Sequence, residues 1–172
     1  MAETLRVGIA GLGTVGAETF RILSERKDIL LSRSGKKIEV VAVSSQDRHM
    51  DRGIDLSGVE WVDDARKLCL MPNVDVVVEL IGGAEGIAKD IAEATVKNNK
   101  YFVTANKALI AHYGDEIGKN AEKNDVSIGF EAAVAGGIPI IKTLREGLGG
   151  NQFTRVYGIL NGTCNYILSE MR

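Results

Sequence analysis

Two hydrophobic periods succeed one another along this chain: short apolar runs, and stretches in which apolar residues recur every three to four positions. Residues 5–10 read as a first strand, after which Val15, Thr19, Ile22 and Leu23 recur at helical spacing. Residues 38–43 predict a second strand ending in Ser44 and Ser45. Between them, R-K-D-I-L-L-S-R-S-G-K-K is polar and basic around Gly35 and predicts a surface excursion that lengthens the connection. Residues 59–62 suggest a short third strand and 64–70 a short helix, stopped by Pro72 because its ring excludes helical geometry just before it. The run V-D-V-V-V-E-L-I at 74–81 is apolar enough to be buried on both faces, as in a parallel sheet covered by helices, and it ends in the Gly82-Gly83 turn. Ile87, Ile91, Ala94 and Thr95 mark a helix, 101–104 a strand, Ile110, Tyr113, Ile117 and Ala121 a further helix, and 126–132 a sixth strand.

Strands alternating with helices imply an α/β fold of Rossmann type, a doubly wound parallel sheet whose ligand lies at the carboxyl ends of the strands. The segment V-G-I-A-G-L-G-T-V-G at 7–16 sharpens that expectation, because the glycines fall in the pattern G-x-G-x-x-G between a strand and a helix. Gly11 can take positive φ, Gly13 lets the main chain approach a pyrophosphate, and Gly16 lets the helix pack close to the strand. The free N–H groups of the helix start, at Thr14 and Val15, would face anionic phosphate. The plainer alternative is a structural turn, since glycine supplies 20 of the 172 residues.

Composition changes the picture only by exclusion. A chain of 172 residues with 45% hydrophobic and 26% charged residues and a net charge of −2 suits a globular protein with a small-molecule ligand. It lacks the basic excess expected of a nucleic-acid binder. No apolar run approaches the roughly 20 residues that cross a bilayer, and the start M-A-E-T-L-R carries an acid, so the expected location is the cytoplasm without a membrane partner. Cys69 and Cys164 have neither zinc nor C-x-x-C spacing and are expected as reduced, partly buried thiols. His49 and His112 accompany no nucleophile motif, so hydrolase chemistry has no support.

From Val134 the character changes. The segment A-G-G-I-P-I-I predicts a helix with Pro139 in its first turn, ended by Gly147, Gly149 and Gly150; residues 153–160 then read as a strand outside the first sheet and 161–171 as the beginning of a helix.

Four segments fall at the ligand-facing ends of such a sheet: E-L-I-G-G at 79–83, T-A-N-K-A-L-I-A at 104–111, F-E-A-A-V-A-G-G-I-P at 130–139 and G-I-L-N-G-T-C-N-Y-I-L at 158–168. Together they resemble the homoserine dehydrogenase family, and the resemblance runs from the glycine loop to the last residues of the chain. It implies a nicotinamide-dependent oxidoreductase interconverting L-aspartate 4-semialdehyde and L-homoserine, on the route to threonine, methionine and isoleucine. It also implies an NAD(P)-binding domain over 1–132, the beginning of an α/β substrate and dimerisation domain over 133–172, and a homodimer or homotetramer for the full-length protein. In the family the acid that grips the substrate and the proton-donor lysine lie beyond the position of Arg172, so the expectation for these residues alone is nucleotide binding without turnover. The alternative is a dinucleotide-binding module or sensor with no catalysis of its own.

Lys107 stands just past a strand end, with Asn106 available to cap the helix it opens. It reads either as a solvated first-turn lysine or as an ammonium where cofactor and substrate meet; the resemblance favours the second and brings Thr104 beside it on the cofactor side. Glu131 is expected to end a buried strand, where a lone carboxylate is costly unless paired, hydrogen-bonded or bound to a cation. The resemblance assigns it, with the carbonyls of Val134, Gly136 and Ile138, to a sodium site. Glu79 reads as an acceptor for the Gly82-Gly83 turn at least as well as a ligand, whereas the backbone of Ile81 and Gly82 would border the cofactor ribose. Asn161 and Thr163 read as a cap and turn network, and by resemblance as part of the substrate pocket; Cys164 stands where the family often has threonine. No acid ends the second strand, where one would hold a ribose 2′-hydroxyl; Ser44 and Ser45 are there instead, and Arg48 follows, which tilts the cofactor reading from NAD toward NADP.

Overall fold

A computed structural model of the chain describes residues 2–158 and 169–171. Six parallel strands, β1 (Thr4–Ala10), β2 (Lys37–Ser44), β3 (Glu60–Trp61), β4 (Val76–Glu79), β5 (Tyr101–Thr104) and β6 (Ile128–Gly129), form one sheet in the order β3-β2-β1-β4-β5-β6. The chain winds outward from β1 to β3, then crosses back to lay β4 on the other side of β1, so the winding reverses between β1 and β4.

Alternation along the strands divides the core between two faces. Val7, Ile9, Val43, Val76 and Val78 pack with Leu12 and Phe20, the latter on helix α1 (Thr14–Glu25). Ala10, Ala42, Val77 and Phe102 pack on the opposite face, under Ile91, Ala92 and Val96 of α3 (Ile87–Lys97) and Leu109, Ile117 and Ala121 of α4 (Lys107–Lys123). Successive Cβ atoms of a strand point to opposite sides, so V-V-V-E in β4 feeds both cores at once. The 3₁₀ helix Ala65–Leu70 is capped by the Asp64 side chain and buries Leu68 and Cys69. The Cys69 thiol lies 3.2 Å from the Thr95 hydroxyl, and burial pushes its pKa up. Cys164 lies outside the described residues.

The excursion before β2 lies on the surface as expected, but it contains an unforeseen eight-residue helix, α2 (Lys27–Ser34), closed by Gly35 at φ 71°; none of its residues is buried, so no apolar stripe announced it. Three sequence expectations are corrected. The sixth strand is only Ile128–Gly129, because Phe130 leaves the extended region (ψ 18°) and Glu131–Ala133 forms a 3₁₀ turn; Glu131 therefore opens a turn and does not end a strand. Pro139 caps α5 (Ile140–Lys142) from outside its first turn, and the helix continues as a wider turn over Thr143–Gly147. Residues 153–158 pair with no strand among the described residues, and Phe153, Val156 and Tyr157 are exposed, whereas a strand needs a neighbour to satisfy its N–H and C=O groups. The predicted helix at 161–171 lies mostly outside the described residues, which show helix at 169–170.

Candidate active site

The carboxyl ends of β1 and β4 lie side by side, with Ala10 paired to Glu79, and the glycine loop leaves from one of them. Gly11 has φ 100°, and a Cβ there would lie 2.7 Å from the Leu80 carbonyl oxygen. Its N–H donates to the Ser44 carbonyl at 2.8 Å, which ties the loop to the end of β2 and removes that donor from any ligand. A Cβ on Gly16 would sit 1.9 Å from the Gly11 carbonyl oxygen, so only glycine permits α1 to start this close to the strand. A Cβ on Gly13 would meet open space among the described residues. Gly13 is also the N-cap of α1, no side chain caps that terminus, and no acid lies in its first turn. The first N–H groups of α1, including those of Thr14, Val15 and Gly16, thus precede the point at which intrahelical bonding begins.

Gly11, Gly13, Ser44, Ser45, Asp63 and Ile81 are among the residues lining a cleft of about 340 Å³. A second hollow, of about 520 Å³, continues from the adjacent residue: Gly82 and Gly83 line it with Asn106, Lys107, Ala133 and Gly136. The two hollows follow one sheet edge, from the glycine loop to Lys107. Lys107 is exposed at the first position of α4, where a cation opposes the helix dipole, a local cost that an anionic ligand would offset. Asn106 caps that helix as anticipated, its Oδ1 accepting from the Leu109 N–H at 3.0 Å.

Thr104, expected to face the cofactor, turns its hydroxyl into the protein: it donates to Glu79 Oε2 at 2.6 Å and accepts from the Asn106 N–H at 2.9 Å. Glu79 is fully buried and accepts from the N–H groups of Ile81 and Gly82 at 2.8 and 3.1 Å. Its role as a turn acceptor is thereby realised. Arg48 lies 6.0 Å from the Trp61 ring centre. Sequence reasoning missed Arg52, which stacks 5.6 Å from the same ring and donates to the carbonyls of Leu12, Met50 and Asp47 and to the Ser45 hydroxyl. Arg52 fastens the loop after β2 onto the glycine loop; spacing gave no sign of it, because most of its hydrogen-bond partners are carbonyl oxygens, which every residue carries.

Glu131 Oε2 accepts from the Lys142 N–H at 3.1 Å, while its Oε1 is buried with no partner among the described residues. Three successive residues after it, Ala135, Gly136 and Gly137, have positive φ (61°, 29° and 76°), which turns this loop back on itself beside the second hollow. The Ile138 carbonyl accepts from the Ile140 N–H at 2.7 Å. Asn161 and Thr163, expected at the substrate pocket, lie outside the described residues.

The profile of the homoserine dehydrogenase NAD binding domain matches residues 11–131, most of the chain, and the homoserine dehydrogenase profile matches residues 139–172. The chain belongs to the homoserine dehydrogenase family. It is 47% identical to the homoserine dehydrogenase of Neisseria gonorrhoeae over 99% of its own length and 39% of that protein's. It is 45% identical to that of Pseudomonas aeruginosa, covering 38% of it. The fold superposes on a homoserine dehydrogenase from Thiobacillus denitrificans with TM-score 0.85 at 42% identity, covering 98% of this chain and 39% of the other. A hyperthermophilic archaeal homoserine dehydrogenase in complex with NADPH superposes with TM-score 0.69 at 25% identity, covering 86% of this chain and 50% of that one. The chain thus spans about 39% of the length of the bacterial relatives named here. Family membership accounts for the sheet order and the glycine loop together, which neither the loop nor the fold does alone. No helix among the described residues is long and apolar enough to cross a membrane.

Proposed function

We propose that this chain forms the nicotinamide-nucleotide portion of an enzyme that interconverts L-aspartate 4-semialdehyde and L-homoserine. The observation that carries the reading is the uncapped start of α1 beside the open face of Gly13, in a cleft where the winding of the sheet reverses. The N–H groups of Thr14, Val15 and Gly16 hold the pyrophosphate. Gly11 shapes the turn, and Ile81 and Gly82 border the ribose on the nicotinamide side. The nicotinamide, when bound, gives or takes the hydride. Lys107 holds an anionic group of the substrate or moves a proton near the reacting carbonyl, while Thr104 supports this region from beneath. The archaeal relative's complex with NADPH supports the nucleotide assignment. An adenosine end formed by Ser44, Ser45 and Arg48, without a carboxylate at the end of β2, favours NADP over NAD.

The buried Oε1 of Glu131, which has no partner among the described residues, fits a hard monovalent cation, and we assign it sodium, with carbonyls of Val134, Gly136 and Ile138 as the companion oxygens. Asn161 and Thr163 belong to the substrate pocket in this reading. The whole protein acts as a homodimer or homotetramer in the cytoplasm.

Titration calorimetry with NADPH, NADP, NADH and NAD tests the assignment. Residues 1–172 bind the phosphorylated pair more tightly and do not reduce aspartate semialdehyde; absence of heat from all four with a folded chain overturns it.

A further inference from the structure

Glu79 is a carboxylate with no cation beside it among the described residues, fully buried at the end of β4, and the reading above gives it no contact with ligand. Its oxygens face three donors from two segments. Oε1 takes the N–H groups of Ile81 and Gly82, at the loop that passes between the two hollows. Oε2 takes the hydroxyl of Thr104, 25 residues on, at the end of β5. From Thr104 the bonding continues: its oxygen accepts from Asn106 N–H, and Asn106 caps α4 through Leu109 while its Nδ2 donates back to the Gly83 carbonyl at 2.5 Å. The circuit closes, Glu79 to Thr104 to Asn106 to Gly83, and Lys107 is the next residue along α4. A buried charge is tolerated where it is fully hydrogen-bonded, and one stretched between two loops fixes their separation.

We infer that Glu79 is a positioning residue for the nicotinamide side of the cleft: its carboxylate sets the spacing between the Gly82-Gly83 loop and the Lys107 helix start. The inference rests on the nucleotide-binding reading. It separates two halves of the site, because the Glu79 side chain bonds nothing in the glycine loop or the 44–48 segment, where the adenosine half is assigned.

Glu79→Gln keeps the size and one acceptor oxygen but turns an NH₂ group toward donors. Binding of NADPH, followed by its fluorescence, is compared with binding of adenosine 2′,5′-bisphosphate, which has no nicotinamide ribose. The variant weakens NADPH by about tenfold or more, the scale of one unmet buried donor, and shifts the emission of the bound nicotinamide, while the bisphosphate binds as to the unaltered chain. Thr104→Val reproduces the selective loss and Thr104→Ser restores binding; that pair decides the matter should E79Q not fold. Equal weakening of both ligands, or of neither, overturns the role of Glu79 and leaves the nucleotide assignment standing. An unaltered chain that binds neither ligand defeats that assignment and this inference with it.

Discussion

Gly16 approaches Gly11 so closely that a Cβ on the first would lie 1.9 Å from the carbonyl oxygen of the second, whereas a Cβ on Gly13, between them in the same motif, would meet nothing within 4 Å among the described residues. One glycine serves the packing of α1 on β1, and the other faces open space at the start of that helix.

That contrast gives a paired prediction. Gly16→Ala destabilises the fold by about 3 kcal/mol, the upper range for overpacking, because the clash is with backbone that cannot rotate away. Gly13→Ala leaves the unfolding midpoint nearly unchanged and weakens dinucleotide binding by about tenfold or more, since the methyl group occupies the approach to the pyrophosphate. Thermal unfolding and calorimetry on the two variants separate the roles; a Gly13→Ala variant that binds as the parent does removes the pyrophosphate from this loop.

Asp75 accepts from Arg6 twice through the side chain, at 2.9 and 2.6 Å, and once through the backbone N–H at 2.9 Å. The side-chain hydrogen bond from Arg6, aided by that backbone bond and the Arg6 charge, holds the Asp75 carboxyl below its ordinary value against the opposing effect of burial. A carboxyl whose pKa is lower folded than unfolded adds stability above the unfolded value of about 3.9 and loses it as the pH falls through the folded value. Asp75→Asn is therefore expected to lower Tm by a constant amount at neutral and mildly acidic pH. The gap between variant and parent should close below about pH 4; a gap that widens in acid contradicts the sign.

The cation assignment at Glu131 makes a salt-specific claim. Sodium chloride should raise Tm more than choline chloride at equal ionic strength, which screens charges equally without coordinating. Glu131→Gln should abolish the difference, since an amide lacks the charge that balances the ion. Identical responses to the two salts would leave Oε1 of Glu131 without a cation.

Arg48 bears on the choice of nucleotide. Arg48→Ala should raise the Kd for NADPH about tenfold, the scale of a charge-assisted hydrogen bond to a phosphate, and leave NADH unaffected. Arg52→Ala should weaken both nucleotides, because Arg52 holds the glycine loop through the Leu12 carbonyl at 2.9 Å. Equal effects of Arg48→Ala on NADPH and NADH would remove it from the 2′-phosphate.

The strand cores, the glycine loop, the Asn106 cap and the run of β4 were legible in the sequence because each depends on residues within a few positions of one another, where period and side-chain type suffice. Helix α2 was not, since a helix that buries nothing shows no apolar stripe. Nor was the failure of 153–158 to form a strand, because a strand exists only where another lies beside it. What the sequence by itself determined is the succession of the strands β1 to β6 and the chemistry carried at their ends. Tertiary structure alone decided which groups meet: Glu79 with Thr104 across 25 positions, Arg6 with Asp75 across 69, and Arg52 with Leu12 across 40. The physical reason is that a hydrogen bond is settled to a fraction of an ångström. No pattern along the chain encodes a distance between residues brought together only when the sheet assembles.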